Sequence, residues 1–285
     1  MANSANMSGK TVVVTGANSG IGKVTALELA KMGADVVMIS RDRTRGEEAL
    51  ADVKRESGSS NVRLFLADLS SQADIRRVAA ELLEALPRID VLVNNAGLIL
   101  GERKLSADGL ELTFATNHLG YFLLTHLLLD RLKASGPARI VNVASEAHRA
   151  GKVDLDDLQS ERGFSQIGVY GMTKLCNILF TYELARRLEG SGVTANCLHP
   201  GAIATGFGQS GNAFMRFVMK LGKPFILTPE KGARTQIYLA SSPEVEGVSG
   251  KYFDRCKPRK SNAQSYDVTV AKKLWEASER LCGIS

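Results

Sequence analysis

Three glycines near the amino terminus, Gly16, Gly20 and Gly22, are spaced so that they could hold a phosphate. They follow a β-branched run at residues 11–14 and open a segment with helical spacing, so the context is strand, turn and helix. Gly16 permits a sharp turn, Gly20 a close approach of backbone to pyrophosphate, and Gly22 close packing of the helix on the sheet. The helix start adds unpaired N–H groups. This turn predicts a dinucleotide site.

The end of the second predicted strand bears on which dinucleotide binds, because the adenosine ribose should lie there. Ser40 and Arg41 offer a hydroxyl and a guanidinium, which suit a 2′-phosphate, whereas an acid would bind the ribose hydroxyls and repel a phosphate. The pair favours NADP(H), and Asp42 could compete with it. Asp68 follows the third strand and predicts either an adenine contact or an ordinary turn or helix cap.

Four polar side chains further along the chain could act on a bound molecule. Tyr170 and Lys174 share one face of a predicted helix, so a phenol and an ammonium group can point into one cleft, although such pairs also occur on surface helices. Ser145 follows the fifth strand, where ligands bind in parallel sheets and where turns are also common. Asn117 lies in an apolar helical stripe, which leaves a structural hydrogen bond and a catalytic role as alternatives.

Strands and helices alternate along the chain, which predicts an α/β fold. We expect a single Rossmann-like domain over residues 1–285, with a doubly wound parallel sheet of about seven strands and helices on both faces. The predicted strands are 11–14, 34–40, 62–67, 89–93, 139–144, 193–198 and 250–254, and the predicted helices include 43–57, 71–86, 108–133, 168–189, 229–240 and 266–282. The fourth strand runs into Asn94-Asn95-Ala96-Gly97, which could line the cofactor crevice or form only a turn.

Composition narrows the classes of partner. The net charge is +6, but basic and acidic residues are interleaved, and the one basic cluster at 251–260 predicts a solvated loop rather than a nucleic-acid site. The four cysteines have no metal-ligand spacing, which predicts free thiols and no metal. Residues 1–9 lack the apolar core of a signal peptide and no window has about eighteen apolar residues, so we expect a cytoplasmic protein.

The segment 202–227 carries many large apolar side chains and three basic ones. It predicts a lid over an apolar substrate pocket. A lid that also touches a membrane surface and an ordinary core helix are the alternatives.

Taken together, the motifs have the order and approximate spacing of the short-chain dehydrogenase/reductase family, which the chain resembles from about residue 10 to 254. They are Thr15-Gly16-x-x-x-Gly20-Ile21-Gly22, Asn94-Asn95-Ala96-Gly97, Asn117, Ser145, Tyr170-x-x-x-Lys174 and Pro200-Gly201. The resemblance implies hydride transfer between nicotinamide and a carbonyl/alcohol pair.

The resemblance also implies roles for individual residues. Tyr170 would be the general acid/base, and Lys174 would hold the nicotinamide ribose and lower the tyrosine pKa. Ser145 would bind the substrate oxygen, and Asn117 would anchor a water relay to Lys174. Cofactor contacts are expected from Gly16, Asn18, Ser19, Gly20, Ile21, Gly22, Ser40, Arg41, Asp68, Leu69, Asn95, Ala96, Gly97, Tyr170, Lys174, Pro200, Gly201 and Thr205.

Within that family the chain is most similar to the retinol dehydrogenase branch, through stretches such as 115–120, 141–148 and 177–188. This resemblance implies NADP(H), an apolar carbonyl or alcohol substrate such as a retinal-like aldehyde, and pairing into dimers or tetramers through helices near 108–133 and 168–189. Two alternatives are a light-dependent protochlorophyllide-type reductase and a non-catalytic NADP-sensing or scaffold protein on the same fold.

Overall fold

The computed structural model describes residues 5–201 and 227–284. Its strands are β1 (Thr11–Thr15), β2 (Asp35–Ser40), β3 (Val62–Leu66), β4 (Val91–Asn94), β5 (Ala138–Val143), β6 (Val193–His199), β7 (Tyr252–Asp254) and β8 (Lys257–Arg259). Within the described residues they form one sheet in the order β3-β2-β1-β4-β5-β6-β7-β8, and only β7 and β8 pair antiparallel. The predicted doubly wound parallel sheet is confirmed, with one strand more than expected.

Helices cover both faces of this sheet, as predicted. They are α1 (Gly20–Lys31), α2 (Arg43–Ser57), α3 (Gln72–Ala85), α4 (Leu112–Phe114), α5 (Gly120–Ala134), α6 (Gln166–Arg187), α7 (Pro229–Ser241) and α8 (Val268–Cys282). One apolar core joins the sheet to α3, α5, α6 and α8, and the other joins it to α1, α2 and α7. Strands with both faces buried explain the continuous β-branched runs in the sequence.

The strand order changes direction at β1, which pairs with β2 on one side and with β4 on the other. The chain winds outward from β1 to β3 and then returns to the centre at β4. The carboxyl ends of β1 and β4 therefore flank the crevice where parallel sheets bind ligands.

The helix predicted at 108–133 is interrupted. It begins at α4, where the Glu111 carboxylate caps the backbone N–H groups of Thr113 (3.0 Å) and Phe114 (2.6 Å). A π-helical turn, Ala115–Leu119, then separates α4 from α5. Such turns insert an extra residue and often mark functional sites. Asn117 lies in this turn, which an apolar periodicity alone could not reveal.

The basic segment 251–260 is a hairpin: its first strand, β7, was predicted, but its second strand, β8, lies where the sequence predicted a solvated loop. Arg255 and Cys256 form its turn with φ of +49° and +61°. The sequence does not predict this conformation, because neither residue is glycine. The edge strand β8 exposes Lys257, Pro258 and Arg259. Charged residues and proline on an edge strand discourage pairing with other chains, so this composition suits a sheet edge.

Helix α8 packs over α5 and α6. Trp275 of α8 has its ring 4.9 Å from Phe122 of α5 and 5.8 Å from Phe180 of α6. The Arg187 guanidinium lies 4.2 Å above the same indole. Every residue of α6 from Gly171 to Leu184 is buried within the single chain. Helix α8 therefore packs on part of α5 and α6, the helices through which the family resemblance implied pairing.

The predicted lid, 202–227, and the predicted cofactor contact Thr205 lie outside the described residues, apart from Leu227. Across 5–201 and 227–284 no helix has the length and apolar character needed to cross a membrane. The same ranges contain no group of three or more His, Cys, Asp or Glu side chains arranged so that it could hold a metal ion.

Candidate active site

The glycine turn has no room for larger residues at two of its positions. A Cβ atom on Gly16 would lie 2.8 Å from Ala96 Cα, and Gly16 also has φ of +64°. A Cβ on Gly22 would lie 2.4 Å from the Gly16 carbonyl oxygen. Gly20 has φ of +54°. Both close contacts and backbone conformation therefore require glycine here.

The start of α1 keeps its N–H groups available. Ser19 occupies the N-cap position in an extended conformation, but its side chain makes no capping hydrogen bond. The first turn carries no acidic residue. Ser19 is exposed, and Asn18 and Ile21 are half-buried beside it. An uncapped helix start with a positive dipole end is suited to an anion.

A hydrogen-bond network fastens this turn to the end of β4. Thr15 Oγ1 accepts from the backbone N–H groups of Asn95 (2.8 Å) and Ala96 (3.0 Å). The Asn95 amide donates to the carbonyl oxygens of Thr15 (2.8 Å) and Gly16 (3.3 Å), and it accepts from Gln236 Nε2 (3.2 Å) of α7. Asn95 and Ala96 therefore support the glycine turn as well as lying beside it. Sequence reasoning missed Gln236, whose only signal was a polar residue within an amphipathic helix.

At the ribose end of the crevice, the acid that could compete with Arg41 is occupied elsewhere. Asp42 caps α2 by accepting from the Arg45 N–H (2.9 Å), and the Ser40 hydroxyl donates to the Asp42 carbonyl oxygen (3.0 Å). The Arg41 side chain is 66% exposed and contacts Asp68 at 3.6 Å. Among the described residues the one ion pair of Arg41 is long and lies at the surface, and such a pair leaves an arginine able to reorient toward a ligand.

Asp68 makes the turn contacts that were one of its two alternatives. One carboxylate oxygen accepts from the Ser70 N–H (2.9 Å) and hydroxyl (2.7 Å). Its other oxygen faces Arg41. The neighbouring Leu69 is buried in the core below the crevice. An adenine contact by Asp68 remains a prediction.

Tyr170, Lys174 and Ser145 come together at the carboxyl edge of the sheet. The Ser145 side chain lies close enough to the Tyr170 phenol to favour its ionised form. Lys174 Nζ lies 5.6 Å from the centre of the Tyr170 ring and donates to the carbonyl oxygen of Val143 (3.0 Å) at the end of β5. A Cβ on Gly97 would lie 3.5 Å from the same ammonium group. The three motifs that carry these residues therefore meet in one place.

Burial perturbs both titratable groups of this cluster. It raises the pKa of Tyr170 to about 12, and the nearby Ser145 side chain opposes the rise. It lowers the pKa of Lys174 to about 7. Desolvation disfavours the charged form of each group, which explains the opposite directions. Paired titratable groups perturbed in this way are typical of catalytic sites.

Asn117 makes the structural hydrogen bonds that were one of its alternatives. Its Oδ1 accepts from the Leu98 N–H (2.8 Å), and its Nδ2 donates to the Leu98 carbonyl oxygen (2.9 Å) and to Thr173 Oγ1 (3.1 Å). These bonds join the π-helical turn to the loop after Gly97 and to the helix of Tyr170. The buried amide is thereby satisfied, and any relay through Asn117 would have to use its backbone.

The chain after β6 reaches the same edge of the sheet. Pro200 and Gly201 are half-buried, and Gly201 has φ of +94°. His199, the last residue of β6, accepts a hydrogen bond at Nδ1 from the Glu146 N–H (3.1 Å). Sequence reasoning used His199 only as the residue that stops the strand, because a lone histidine gives no signal of its partner.

A doubly wound sheet with a glycine turn at its switch point, and a tyrosine and lysine facing the same edge, defines the class of nucleotide-binding α/β oxidoreductases. The family model described as short chain dehydrogenase matches residues 10–215. The chain belongs to the short-chain dehydrogenase family. It is an oxidoreductase that acts on an alcohol/carbonyl pair with a nicotinamide cofactor.

Two curated relatives are human proteins. Retinol dehydrogenase 14 of Homo sapiens is 46% identical over 299 residues, covering 98% of this chain and 88% of its own. Retinol dehydrogenase 13 of Homo sapiens is 45% identical over 288 residues, covering 98% and 86%. The predicted resemblance to the retinol dehydrogenase branch is thereby confirmed.

Solved structures agree with the fold. An uncharacterised protein from Mycobacterium paratuberculosis superposes with a TM-score of 0.81 at 34% identity, covering 99% of this chain and 96% of that one. The Pseudomonas aeruginosa RhlG/NADP active-site complex superposes with a TM-score of 0.72 at 26% identity, covering 89% and 97%.

Proposed function

We propose that the protein is an NADP(H)-preferring oxidoreductase that transfers hydride between nicotinamide and a carbonyl/alcohol pair on an apolar substrate, with Tyr170 as the general acid/base. The observation that carries this proposal is that Ser145, Tyr170 and Lys174 meet at one edge of the sheet, with Lys174 Nζ 5.6 Å from the centre of the phenol ring.

The residues at the switch point fit the cofactor. The backbone of Gly16 and Gly22 leaves no space for side chains, and the start of α1 has no capping side chain to displace. The pyrophosphate would lie on the N–H groups between Asn18 and Gly22, and Lys174 would hold the nicotinamide ribose. When bound, the cofactor supplies the hydride, while the protein supplies orientation and a proton.

The proton would come from Tyr170. With a pKa raised to about 12, the phenol is protonated at neutral pH and can donate to a carbonyl oxygen during reduction. Ser145 would donate a second hydrogen bond to that oxygen. Lys174 lies beside the ring, where its charged form would favour the phenolate that follows proton donation. Asn117 fixes the turn next to Lys174 and would anchor a relay through its backbone.

The preference for NADP(H) rests on Ser40 and Arg41. One oxygen of the Asp42 carboxylate accepts from the Arg45 N–H at the helix start. That oxygen is therefore not free to bind the ribose hydroxyls. Arg41 is exposed beside the ribose end of the crevice and could form charge-assisted hydrogen bonds with a 2′-phosphate. The similarity to the Pseudomonas aeruginosa RhlG/NADP complex is consistent with this proposal.

The apolar substrate is proposed from the relatives that are named retinol dehydrogenases. A retinal-like or other hydrophobic aldehyde or ketone is the leading candidate, with segment 202–227 as its lid. A cytoplasmic location with peripheral membrane contact is proposed from the sequence, in which segment 202–227 combines large apolar side chains with three basic ones. Self-association also remains a proposal. Because α8 packs on α5 and α6, a second copy that pairs through this side would also contact α8, and sedimentation at multiples of 30.7 kDa would measure the self-association.

The test is oxidation of NADPH or NADH, followed by absorbance, with aldehydes and ketones from short polar ones to all-trans-retinal. We expect turnover with NADPH on the apolar carbonyls. Arg41→Leu should raise the KM for NADPH about tenfold, as for loss of a charge-assisted hydrogen bond, and leave that for NADH unchanged. Arg43→Leu removes a nearby exposed arginine that pairs with Glu47 and is the matched control.

Three outcomes would contradict parts of this proposal. A preference of the wild-type protein for NADH would mean that an acid controls the ribose pocket. Turnover that requires illumination would favour the protochlorophyllide-type alternative. Tight NADPH binding without turnover of any carbonyl would favour the sensor alternative.

A further inference from the structure

The turn that carries Ser145 is fastened to the next strand by a histidine with no role in the function proposed above. Ser145 begins a short 3₁₀ helix, Glu146–Arg149, and its Oγ accepts from the Ala147 N–H (3.2 Å). The Glu146 N–H, one residue beyond Ser145, donates to His199 Nδ1 (3.1 Å). His199 thereby holds the peptide that follows the serine.

The rest of the sheet places His199 for this contact. β5 and β6 pair so that Val143 lies opposite Leu198, which puts His199 beside the segment leading to Ser145. Cys197, two residues before His199, packs with Ile178 of α6. Because alternate strand residues share a face, His199 lies on the same side of the sheet as the helix of Tyr170.

The hydrogen bond requires the neutral imidazole. Nδ1 accepts from an N–H group, so it carries no hydrogen, and the proton of the neutral ring is on Nε2. Protonation would place an N–H donor at Nδ1 against the N–H donor of Glu146. The contact would then be lost, and the peptide after Ser145 would lose its anchor on β6.

A second histidine in this turn responds differently. His148 donates from Nδ1 to the Ser145 carbonyl oxygen (2.6 Å), and its ring packs against Tyr252 at 4.9 Å. Its protonated form keeps the Nδ1 hydrogen, so this bond survives protonation. Of the two histidines, His199 is therefore the one whose protonation breaks a bond that holds the turn.

Charged and titratable groups face His199 from two elements of the described part of the chain. From the 3₁₀ helix they are Glu146 and His148, and from the hairpin they are Asp254 and Arg255. Burial lowers the pKa of His199, and the two carboxylates oppose that shift. The Glu146 carboxylate itself accepts from the Tyr252 hydroxyl (3.0 Å) and pairs with Arg149. His199 is thus neutral near pH 7 and titrates on the acid side.

We propose that neutral His199 is a positioning residue that holds Ser145 in place through the Glu146 N–H, so that protonation of His199 lowers kcat at acid pH. This inference rests on the proposed function, since it matters only if Ser145 binds the substrate oxygen. It concerns how that serine is held and adds no new participant in proton transfer.

The test compares pH profiles of kcat, between about pH 5 and 8 around the ordinary histidine pKa, for the wild type and two variants, with the cofactor-only rate subtracted. His199→Asn keeps an acceptor oxygen near the place of Nδ1 but does not titrate. His199→Leu has no acceptor. We expect the wild type to lose turnover as the pH falls and His199→Asn to keep its neutral-pH kcat with a flatter acid limb. His199→Leu should have a kcat about tenfold below wild type at neutral pH and should approach the wild type at acid pH, because protonation of His199 removes the same hydrogen bond.

Several results would overturn the inference. They are an acid limb in His199→Asn that is unchanged from wild type, or a wild-type kcat in His199→Leu at neutral pH. A change in the KM for NADPH of His199→Leu as large as its change in kcat would also overturn it, because that would indicate a general loss of structure. Tyr170→Phe separates the two levels of the argument. If that variant is inactive while the His199 variants behave like the wild type, the inference fails and the proposed function stands.

A spectroscopic measurement keeps the inference testable if a variant folds poorly. Nitrogen-15 NMR of the four histidines in the wild type, with the His199 signal assigned from its absence in His199→Asn, reports the tautomer directly. We expect an unprotonated Nδ1 at pH 7 and a titration midpoint that matches the acid limb of kcat. A protonated Nδ1 at pH 7 would refute the hydrogen bond on which the inference depends.

Discussion

Replacing Thr15 by valine should loosen the junction between the glycine turn and the end of β4. Thr15 is fully buried, and its hydroxyl accepts from the N–H groups of Asn95 and Ala96 at 2.8 and 3.0 Å while facing the Val93 carbonyl oxygen at 3.4 Å. Valine has nearly the same shape but no hydroxyl. The substitution therefore removes hydrogen bonds with little change in packing.

The magnitude follows from the two N–H groups left without an acceptor. A buried donor that loses its partner costs about 1–3 kcal/mol. Asn95 and Ala96 are half-buried, so water can replace part of each bond, and the lower end of that range applies. We expect Thr15→Val to lower the free energy of unfolding by about 2 kcal/mol. Thr15→Ser, which keeps the hydroxyl, should lose less.

The assay is urea unfolding of the wild type and both variants, together with the Kd for NADPH. Gly16 packs closely against Ala96, since a Cβ on Gly16 would lie 2.8 Å from Ala96 Cα. A looser junction would shift the glycine turn and should therefore also weaken cofactor binding. Thr15→Val should therefore show both a lower unfolding free energy and a higher Kd. A Thr15→Val protein as stable as Thr15→Ser, with the same Kd, would refute the argument that this hydroxyl holds the two turns together.

Two further predictions concern the buried lysine and the covering helix. Burial lowers the pKa of Lys174 from 10.5 to about 7, so between these values the unfolded chain binds a proton that the folded chain has lost, and stability should rise with pH from 7 to 10. Urea unfolding should show that rise in the wild type and a smaller one in Lys174→Met; equal slopes would contradict it. Trp275→Ala should cost about 3–5 kcal/mol in the same assay, since its indole packs between α5 and α6. Val268 lies on the same helix and is exposed, so Val268→Ala is the control. If Trp275→Ala lowered the free energy of unfolding no more than Val268→Ala does, α8 would not be anchored by its indole.

Much of the fold could be predicted because its strands are buried on both faces and its helices carry strong periodicity. Helix α2 has the predicted bounds, 43–57, since Asp42 caps its start and Gly58 ends it with φ of +69°. Strand β8 was missed because the turn residues before it, Arg255 and Cys256, are not the ones that favour positive φ. The π-helical turn was missed because all five of its residues are buried, so a pattern of buried positions does not show where the extra residue lies.

The candidate site was predictable only as a set of motifs. The glycine spacing and the Tyr170–Lys174 pair can be recognised in the sequence, because the residues of each motif are close together in the chain. Contacts across the fold leave no such trace: Gln236 reaches Asn95 from 141 residues away, and His199 reaches Glu146 from 53. The role of Asn117 needed the structure as well, because its partner Leu98 offers only backbone atoms.

The most direct test of the proposed chemistry is single-turnover reduction of an apolar aldehyde by Tyr170→Phe with bound NADPH. The variant loses only the phenolic hydroxyl, so the Kd for NADPH should stay within about twofold of wild type while the rate falls at least about 100-fold. Wild-type rates in Tyr170→Phe would contradict the assignment of Tyr170 as the proton donor. Loss of rate together with loss of NADPH binding would contradict the separation of cofactor holding from proton transfer.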